Sequence, residues 1–254
     1  MGAQGVRAYF ASMLIAPPPF VRRMALVGLF ANFAIHVSAQ WSLGAHGAGQ
    51  YTLSTVEGID PTGLAEVDVR DGVGYVAGLQ LRYSFSDPWS IGLGVLYERR
   101  SHTVEASADT SFDVLGFAVR GELFTSTRIA RSYLQVPLMV RWRPVTWLGV
   151  EAGGAGSFLL ASDAVSTGEV DVALFGFGTE VPFTTSSTST DGLRPVLLQA
   201  CAGLAFMVHP RVDIFLSYMR DLGPLEDDDT AGSTEQQAFR LGLTYAFLRS
   251  STER

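Results

Sequence analysis

The sequence predicts an all-β fold, an eight-stranded antiparallel up-and-down β-barrel that spans a membrane, and three observations support this prediction. Large apolar residues alternate with small or polar ones along stretches of about ten residues, the length that crosses a bilayer when tilted. The connections between these stretches alternate between short and long. Hydrophobic residues make up 47% of the 254 residues, yet no apolar run reaches the roughly 18 residues of a transmembrane helix.

Period-two alternation is typical of a strand whose two faces meet different surroundings. The last stretch, RLGLTYAF at 240–247, places large apolar side chains on every second position, with Gly242, Thr244 and Ala246 between them. Seven earlier stretches show the same pattern, and they cover residues 41–53, 75–85, 89–98, 134–142, 148–158, 196–208 and 212–221. The count of eight is even, which returns both chain ends to one side of a membrane.

The connections predict which end of the barrel faces outwards. Tight turns with proline lie at 86–88, 143–146 and 209–211. Long polar connections cover 54–73, 101–131, 161–193 and 222–236, and we expect these to be outer loops. A soluble β-sandwich is the alternative, but its loops have no reason to alternate in length by side. Aromatic residues near both strand ends also favour two membrane interfaces.

A ten-stranded barrel is a second alternative. The stretches 112–124 and 169–177 would each add a strand, and ten is also even. We favour eight because Asp113, Arg120 and Glu122 suit an aqueous surface better than a membrane.

The amino terminus has the order of a secretory signal. Arg22 and Arg23 precede the apolar stretch MALVGLFANFAI, and the small residues of Val37-Ser38-Ala39 follow. We therefore predict a signal peptide over residues 1–39, cleaved after Ala39, a barrel over 40–248 and a short periplasmic tail over 249–254. A buried amphipathic helix is the alternative, but three consecutive prolines and the missing polar face disfavour it.

Three stretches resemble one known family. YLQVPLMVRW at 133–142, LGVEAGGAGSFLL at 148–160 and FRLGLTYAF at 239–247 are similar to the PorT-like, porin-family outer-membrane β-barrels of the eight-stranded class. The resemblance covers residues 40–247. It implies a place in the bacterial outer membrane, in contact with membrane lipid and lipopolysaccharide.

The closing strand also resembles the signal that the barrel-assembly machinery reads. The matching residues are Arg240, Gly242, Tyr245 and Phe247. Seven residues follow Phe247, whereas many such barrels end on the aromatic residue. The four matching residues imply the barrel-assembly machinery as a partner during biogenesis.

Charged residues lie on the polar face of several stretches. We expect them to form a charge network that fills the lumen, comprising Arg82, Glu98, Arg141, Glu151, Asp213 and Arg240. An eight-stranded barrel is just wide enough inside for side chains, so a plugged lumen is favoured over a gated path for a small solute.

Three other features suggest functions. An apolar stretch in the third outer connection is a candidate docking surface, carried by Leu174, Phe175, Phe177 and Phe183; alternatively, extended strands pack these residues. The acidic run at 226–229 is most simply a solvated loop tip, with calcium bridging to lipopolysaccharide as the alternative. Ser101 and His102 resemble a hydrolase pair, but adjacent strand residues point to opposite faces.

The sequence thus predicts a structural or interaction protein that acts through long outer loops, without a cofactor, metal or catalytic residue. The alternatives are a small-solute pore or ligand-binding barrel and, third, a lipid-modifying enzyme. The net charge of −7 gives no basic surface for nucleic acid, so none is expected as a partner.

Overall fold

The computed structural model describes residues 40–57, 65–114, 117–174, 177–190, 192–225 and 233–250. No helix among these residues is long and apolar enough to cross a membrane. Almost all of them lie in antiparallel strands: β1 Gln40–Glu57, β2 Ala65–Arg70, β3 Gly72–Ser84, β4 Trp89–Val114, β5 Phe117–Val145, β6 Leu148–Leu174, β7 Phe177–Thr188, β8 Val196–His209, β9 Val212–Asp221 and β10 Ser233–Arg249.

Eight of these strands form a closed ring in the order β1, β3, β4, β5, β6, β8, β9, β10. β1 and β10 close it through a ladder that runs from Ser42↔Arg249 to Glu57↔Ser233. β2 continues β3 along the same neighbour, β4, and β7 likewise continues β8 along β6. Ten segments therefore make eight barrel strands, and the prediction of an eight-stranded up-and-down barrel is confirmed.

The apolar stripe of each ring strand faces outwards. Leu198 and Leu241 are 64% and 63% exposed, whereas Glu98 and Gln135 on the opposite face are fully buried. A soluble sandwich would show the reverse, because its apolar face would form the core. The outer surface is therefore a band of apolar side chains that suits lipid, and the buried interior is polar.

Aromatic side chains pair at both ends of this band. At the short-turn end the Trp89 and Trp142 rings lie 6.3 Å apart. At the other end Tyr75 and Tyr97 lie 6.0 Å apart, and Tyr218 and Phe239 lie 5.2 Å apart. Two such girdles are expected where a barrel crosses the two membrane interfaces.

The long connections at 101–131 and 161–193 are not irregular loops, and this part of the prediction is wrong. β4 and β5 stay paired from Arg100↔Arg131 to Val114↔Phe117, and β6 and β7 stay paired from Asp163↔Thr188 to Leu174↔Phe177. No continuous apolar stripe marks these segments, because water meets both faces of a strand beyond the membrane. The stretches 112–124 and 169–177 belong to these hairpins and add no strand to the ring.

The β1–β10 seam needs a small residue at Gly242, which pairs with Ala48. A Cβ atom at Gly242 would collide with the Gly47 carbonyl oxygen and would lie 2.6 Å from the Ala48 Cβ atom. Gly49, on the same ladder, has no atom within 4 Å of the position where its Cβ would lie. The two glycines therefore differ in how closely the neighbouring strand approaches.

We predict that Gly242→Ala lowers the free energy of unfolding by about 1–3 kcal/mol, because the added methyl group forces the closing strands apart. Gly49→Ala is the matched control and should cost nothing measurable. Urea unfolding in detergent micelles, followed by tryptophan fluorescence and by the heat-dependent gel mobility of the folded barrel, would measure both. Equal stabilities for the two variants would contradict this account of the seam.

Candidate functional site in the barrel lumen

Four charged side chains meet near the short turns, and we call them the turn-side cluster: Arg82 of β3, Arg141 of β5, Glu151 of β6 and Asp213 of β9. Arg82 and Arg141 each donate to Asp213 Oδ2, at 2.8 and 2.6 Å. Arg141 Nε also donates to Glu151 Oε1 at 2.5 Å, and Arg82 Nη2 lies 3.6 Å from the same oxygen. The two carboxylates are therefore shared between the two guanidinium groups.

Four more charges meet farther towards the hairpins, and we call them the hairpin-side cluster: Glu98 and Arg100 of β4, Asp221 of β9 and Arg240 of β10. Arg100 donates two hydrogen bonds to Glu98, from Nε to Oε1 at 2.6 Å and from Nη2 to Oε2 at 3.2 Å. Arg100 Nη1 also reaches Asp221 at 3.1 Å, and Arg240 donates to Glu98 Oε1. Such two-pronged bonds fix both position and orientation.

A layer of glutamines completes the hydrogen bonding of the hairpin-side cluster. Arg240 donates to Gln50 at 3.0 Å and to Gln135 at 2.9 Å. Gln135 in turn donates to Gln199, and Gln199 donates to Asp221 at 2.7 Å. The Tyr133 ring lies 5.3 Å from the Arg100 guanidinium carbon. Buried charges need this support, because an unsatisfied polar group in a dry interior is costly.

Each cluster is electrically neutral, since each holds two arginines and two carboxylates. The side chains of Glu98 and Arg240 are 0% and 5% exposed, so they have left water almost completely. A buried charge is tolerated when it is paired and hydrogen-bonded, and removing one partner is strongly destabilising. The arrangement therefore stabilises the closed lumen and gives it no net charge to attract an ion.

Between the clusters, side chains fill most of the lumen. Met139, Ala155, Cys201 and Met219 form a buried apolar cluster. The His46 ring stacks on Phe215 with ring centres 4.4 Å apart. A cavity of about 50 Å³ lies beside them. The described residues thus close the lumen at two heights, with little free space between.

The six lumen residues singled out from the sequence divide between the two clusters. Arg82, Arg141, Glu151 and Asp213 lie together, whereas Glu98 and Arg240 belong to the second group. Sequence reasoning missed Arg100 and Asp221, which complete the second group. Arg100 shares the parity of Glu98, so continuing the period-two pattern past residue 98 would have found it.

The other sequence-predicted residues lie as follows. Tyr245 and Phe247 face outwards, 43% and 41% exposed, while Arg240 faces the lumen. Phe183 on β7 lies opposite Gly168, close to where a Cβ of that glycine would be. Phe175 and the side chains of Leu174 and Phe177 lie outside the described residues, as does the acidic run at 226–229.

Ser101 and His102 do not form a nucleophile–base pair. Ser101 Oγ donates to the Val73 carbonyl at 2.6 Å. His102 Nδ1, beyond the Tyr75–Tyr97 pair at the outer end of the apolar band, lies 3.3 Å from Gln236 Nε2 instead. Burial, and then the nearby Arg131, lower the pKa of His102 to about 4, so the ring is neutral at pH 7.

We predict that Glu98→Gln lowers the free energy of unfolding by about 3–5 kcal/mol, because it leaves the buried guanidinium of Arg240 without a carboxylate partner. Adding Arg240→Gln should recover part of that loss, since the pair of changes restores neutrality. Glu235→Gln is the control: it breaks an exposed pair with Arg220 and should cost about 1 kcal/mol or less. Urea unfolding in micelles would measure the wild-type barrel and the three variants; a double variant less stable than Glu98→Gln alone would refute the neutrality argument.

Known proteins were compared with this chain. A family model described as an outer membrane protein beta-barrel domain matches residues 22–226. No significant match to a curated protein was found.

Several solved barrels are similar in structure. Ail of Yersinia pestis, in complex with the heparin analogue sucrose octasulfate, is 17% identical, with 82% of this chain and 99% of Ail covered and a TM-score of 0.36. OprG of Pseudomonas aeruginosa is 11% identical, with coverage of 84% and 97% and a TM-score of 0.30. The outer membrane protease OmpT of Escherichia coli is 8% identical, with coverage of 82% and 96% and a TM-score of 0.29.

These similarity scores are low, so the assignment rests on the family match and on the structure itself. The match covers most of the chain, and the strands close into an eight-stranded ring with an apolar outer band. The chain therefore belongs to the outer membrane protein beta-barrel domain family and is an integral protein of the bacterial outer membrane.

Proposed function

We propose that this barrel has a structural or interaction role, with a lumen that does not conduct and outer strands that make the contacts. The observation that carries the proposal is the closure of the lumen by two neutral ion-pair clusters. With the interior filled, the surfaces that remain for function are the outer hairpins and the two ends of the barrel. No catalytic role is proposed, because Ser101 and His102 make separate contacts.

The outer hairpins offer a large contact surface. Beyond the tyrosine girdle, β2, β4, β5, β6 and β7 are paired in that order, and we call this five-stranded region the outer sheet. Polar bonds tie it together, including Arg70 to Glu105 at 2.6 Å and Thr127 to Ser166 at 2.9 Å. Among the described residues, the far side of β7 pairs with no strand. A sheet with an open edge suits contact with another protein, because an extended segment can pair with that edge.

Within its family, we place the chain with the PorT-like, porin-family barrels. Support comes from the strand at 133–142, where Tyr133, Gln135 and Pro137 all face the lumen. Tyr133 lies against the hairpin-side cluster, and Pro137 packs near Gly94 of the neighbouring β4. The residues that carry the sequence resemblance are therefore part of the lumen packing.

A small-solute pore is the second candidate. It is favoured by one observation, a cavity at the short-turn end that reaches inwards to Arg82 and Asp213. A solute would have to part the turn-side cluster and then the hairpin-side cluster to pass. The closed lumen therefore favours the structural role.

We predict that the purified barrel in planar lipid bilayers gives no steady single-channel conductance, because two sets of buried ion pairs would have to separate. A general porin reconstituted in parallel is the positive control. Steps of conductance that scale with salt concentration, present in the wild-type barrel, would favour the pore.

Lipid contact is the second part of the proposal, and it has a specific location. A cleft of about 440 Å³ lies on the outer surface just beyond Tyr75, and we call it the outer cleft. Its lining is apolar apart from a few groups and comprises Val73, Gly74, Tyr75, Arg99, Ser101, Arg128, Ala130, Asp163 and Val165. Arg99 lies 3.6 Å from Asp163, whereas no ion pair involves Arg128 among the described residues.

The outer cleft has the chemistry of a site for a phosphate-bearing lipid of the outer leaflet, that is, lipopolysaccharide. Its height matches the lipid headgroups, because it adjoins the Tyr75–Tyr97 pair of the outer girdle. Apolar residues face the acyl chains, while Arg99 and Arg128 supply positive charge for a phosphate. Arginine is well suited to phosphate because its planar fork can donate two parallel bonds.

We predict that Arg99→Gln with Arg128→Gln lowers the lipopolysaccharide retained by the purified barrel severalfold, since both cations at the cleft are lost. Arg220→Gln is the matched control: this arginine also faces outwards near the girdle, 53% exposed, but does not line the cleft. Mass spectrometry of bound lipid after gentle detergent extraction would measure it. Equal retention by all three proteins would rule out the cleft as a lipid site.

A further inference from the structure

The short-turn end of the barrel holds arginines in addition to the two that form the ion pairs of the turn-side cluster. A cavity of about 60 Å³ opens there, and we call it the vestibule. Five arginines line it: Arg82, Arg141, Arg143, Arg211 and Arg249. Asp213 is the one carboxylate among its described lining residues.

The vestibule carries an excess of positive charge. Arg82 and Arg141 are already balanced, because they share Asp213 and Glu151 in the turn-side cluster. Arg143 and Arg249 instead donate to backbone carbonyl oxygens, of Asp87 at 2.8 Å and Pro210 at 2.6 Å. Within the described residues no salt bridge involves these two or Arg211. Three guanidinium groups therefore line one opening without a salt-bridge partner among the described residues.

Two donors in the vestibule also have no partner among the described residues: the Ser90 hydroxyl and the Arg143 Nε–H. Ser90 is only 1% exposed, so bulk water does not reach it freely. An unsatisfied buried donor raises the free energy of the folded protein, because it has given up its hydrogen bond to water. The cost is removed by a ligand that accepts hydrogen bonds.

The electrostatics agree with this geometry. Burial, followed by the positive charges of Arg141 and Arg249, lowers the pKa of Arg143 at the rim of the barrel, against a smaller opposing effect of Asp213 and Asp87. An anion bound between these guanidinium groups would relieve their repulsion. The site thus favours a ligand that is both negatively charged and rich in acceptor oxygens.

The size of the vestibule sets the class of anion. A water needs about 10–15 Å³ of such space, so 60 Å³ holds roughly four to six waters. A phosphate group has five non-hydrogen atoms and fits that volume. Its charge and its oxygens also match the forked donors of arginine.

We propose that the vestibule binds a phosphate group from the periplasmic side. The turn-side cluster closes its inner end, so it is a dead-end binding site and not the mouth of a path. A phosphate group could come from inorganic phosphate or from the headgroup of a phospholipid in the periplasmic leaflet. The shared chemistry is the phosphate itself, held by Arg143, Arg249 and the Ser90 hydroxyl.

The test is a calorimetric titration of the barrel, extracted from outer membranes into a phosphate-free maltoside detergent. One arm adds inorganic phosphate, and the other adds dihexanoyl phosphatidylglycerol below its micelle-forming concentration. Heat from the first arm alone identifies the free ion, and heat from the second alone identifies the headgroup. Either result supports the site, and no binding in both arms overturns it.

Variants locate the binding. Arg143→Gln with Arg249→Gln should weaken phosphate binding at least tenfold, and Ser90→Ala, which keeps all the charges, about threefold. Arg220→Gln, at the opposite end of the barrel, should leave it unchanged. The heat-dependent gel mobility of each variant verifies that it is folded. Unchanged affinity in the folded double variant would overturn the proposal.

Discussion

The structure depends on one constraint: in hydrocarbon every backbone amide and carbonyl must find its partner within the protein. The ladder between β1 and β10 meets it by joining the two ends of the sheet into a ring. Closure fixes the direction of every side chain, because successive residues of a strand point alternately to lipid and to the lumen. It also brings the two closing backbones together at Gly242, where a larger side chain has no room.

A ring of eight strands leaves an interior about as wide as the side chains that fill it. Charged side chains placed there are out of contact with bulk water. They are therefore tolerated only in clusters whose positive and negative charges cancel. The two clusters satisfy this requirement, and they also connect strands that are not neighbours. Arg82 to Asp213 joins β3 to β9 across the lumen, and Arg240 to Glu98 joins β10 to β4. These cross-links oppose flattening of the barrel, which the ladder alone would not prevent.

The alternation of side chains between the two faces of a strand explains how much could be predicted from the sequence. Whether Leu241 or Arg240 faces lipid is a local property, and the alternation gave it correctly together with the number of strands. The hairpins at 101–131 and 161–193 were missed because nothing beyond the membrane selects an apolar face of a strand. Ending the predicted third strand at residue 98 also left Arg100 out of the lumen group.

The division of the lumen charges into two clusters lies beyond the sequence pattern for a different reason. Residues share a height only if the tilt and register of their strands place them there. Register shifts, such as the one between Ser132 and Tyr133 on β5, change that height without leaving a mark in the alternation. Pairing between Arg100 and Asp221, 121 positions apart, therefore required the assembled barrel.

The two ends of the barrel differ in a way that packing does not require. Neutrality of the turn-side cluster is complete with Arg82, Arg141, Glu151 and Asp213. Arg143, Arg211 and Arg249 add three charges beside it, and holding like charges together at a half-enclosed opening costs free energy. Side chains that only capped the strand ends could equally be neutral. Their convergence on one cavity with a buried hydroxyl is instead the arrangement of a site that recognises an anion, on a barrel whose lumen is otherwise closed.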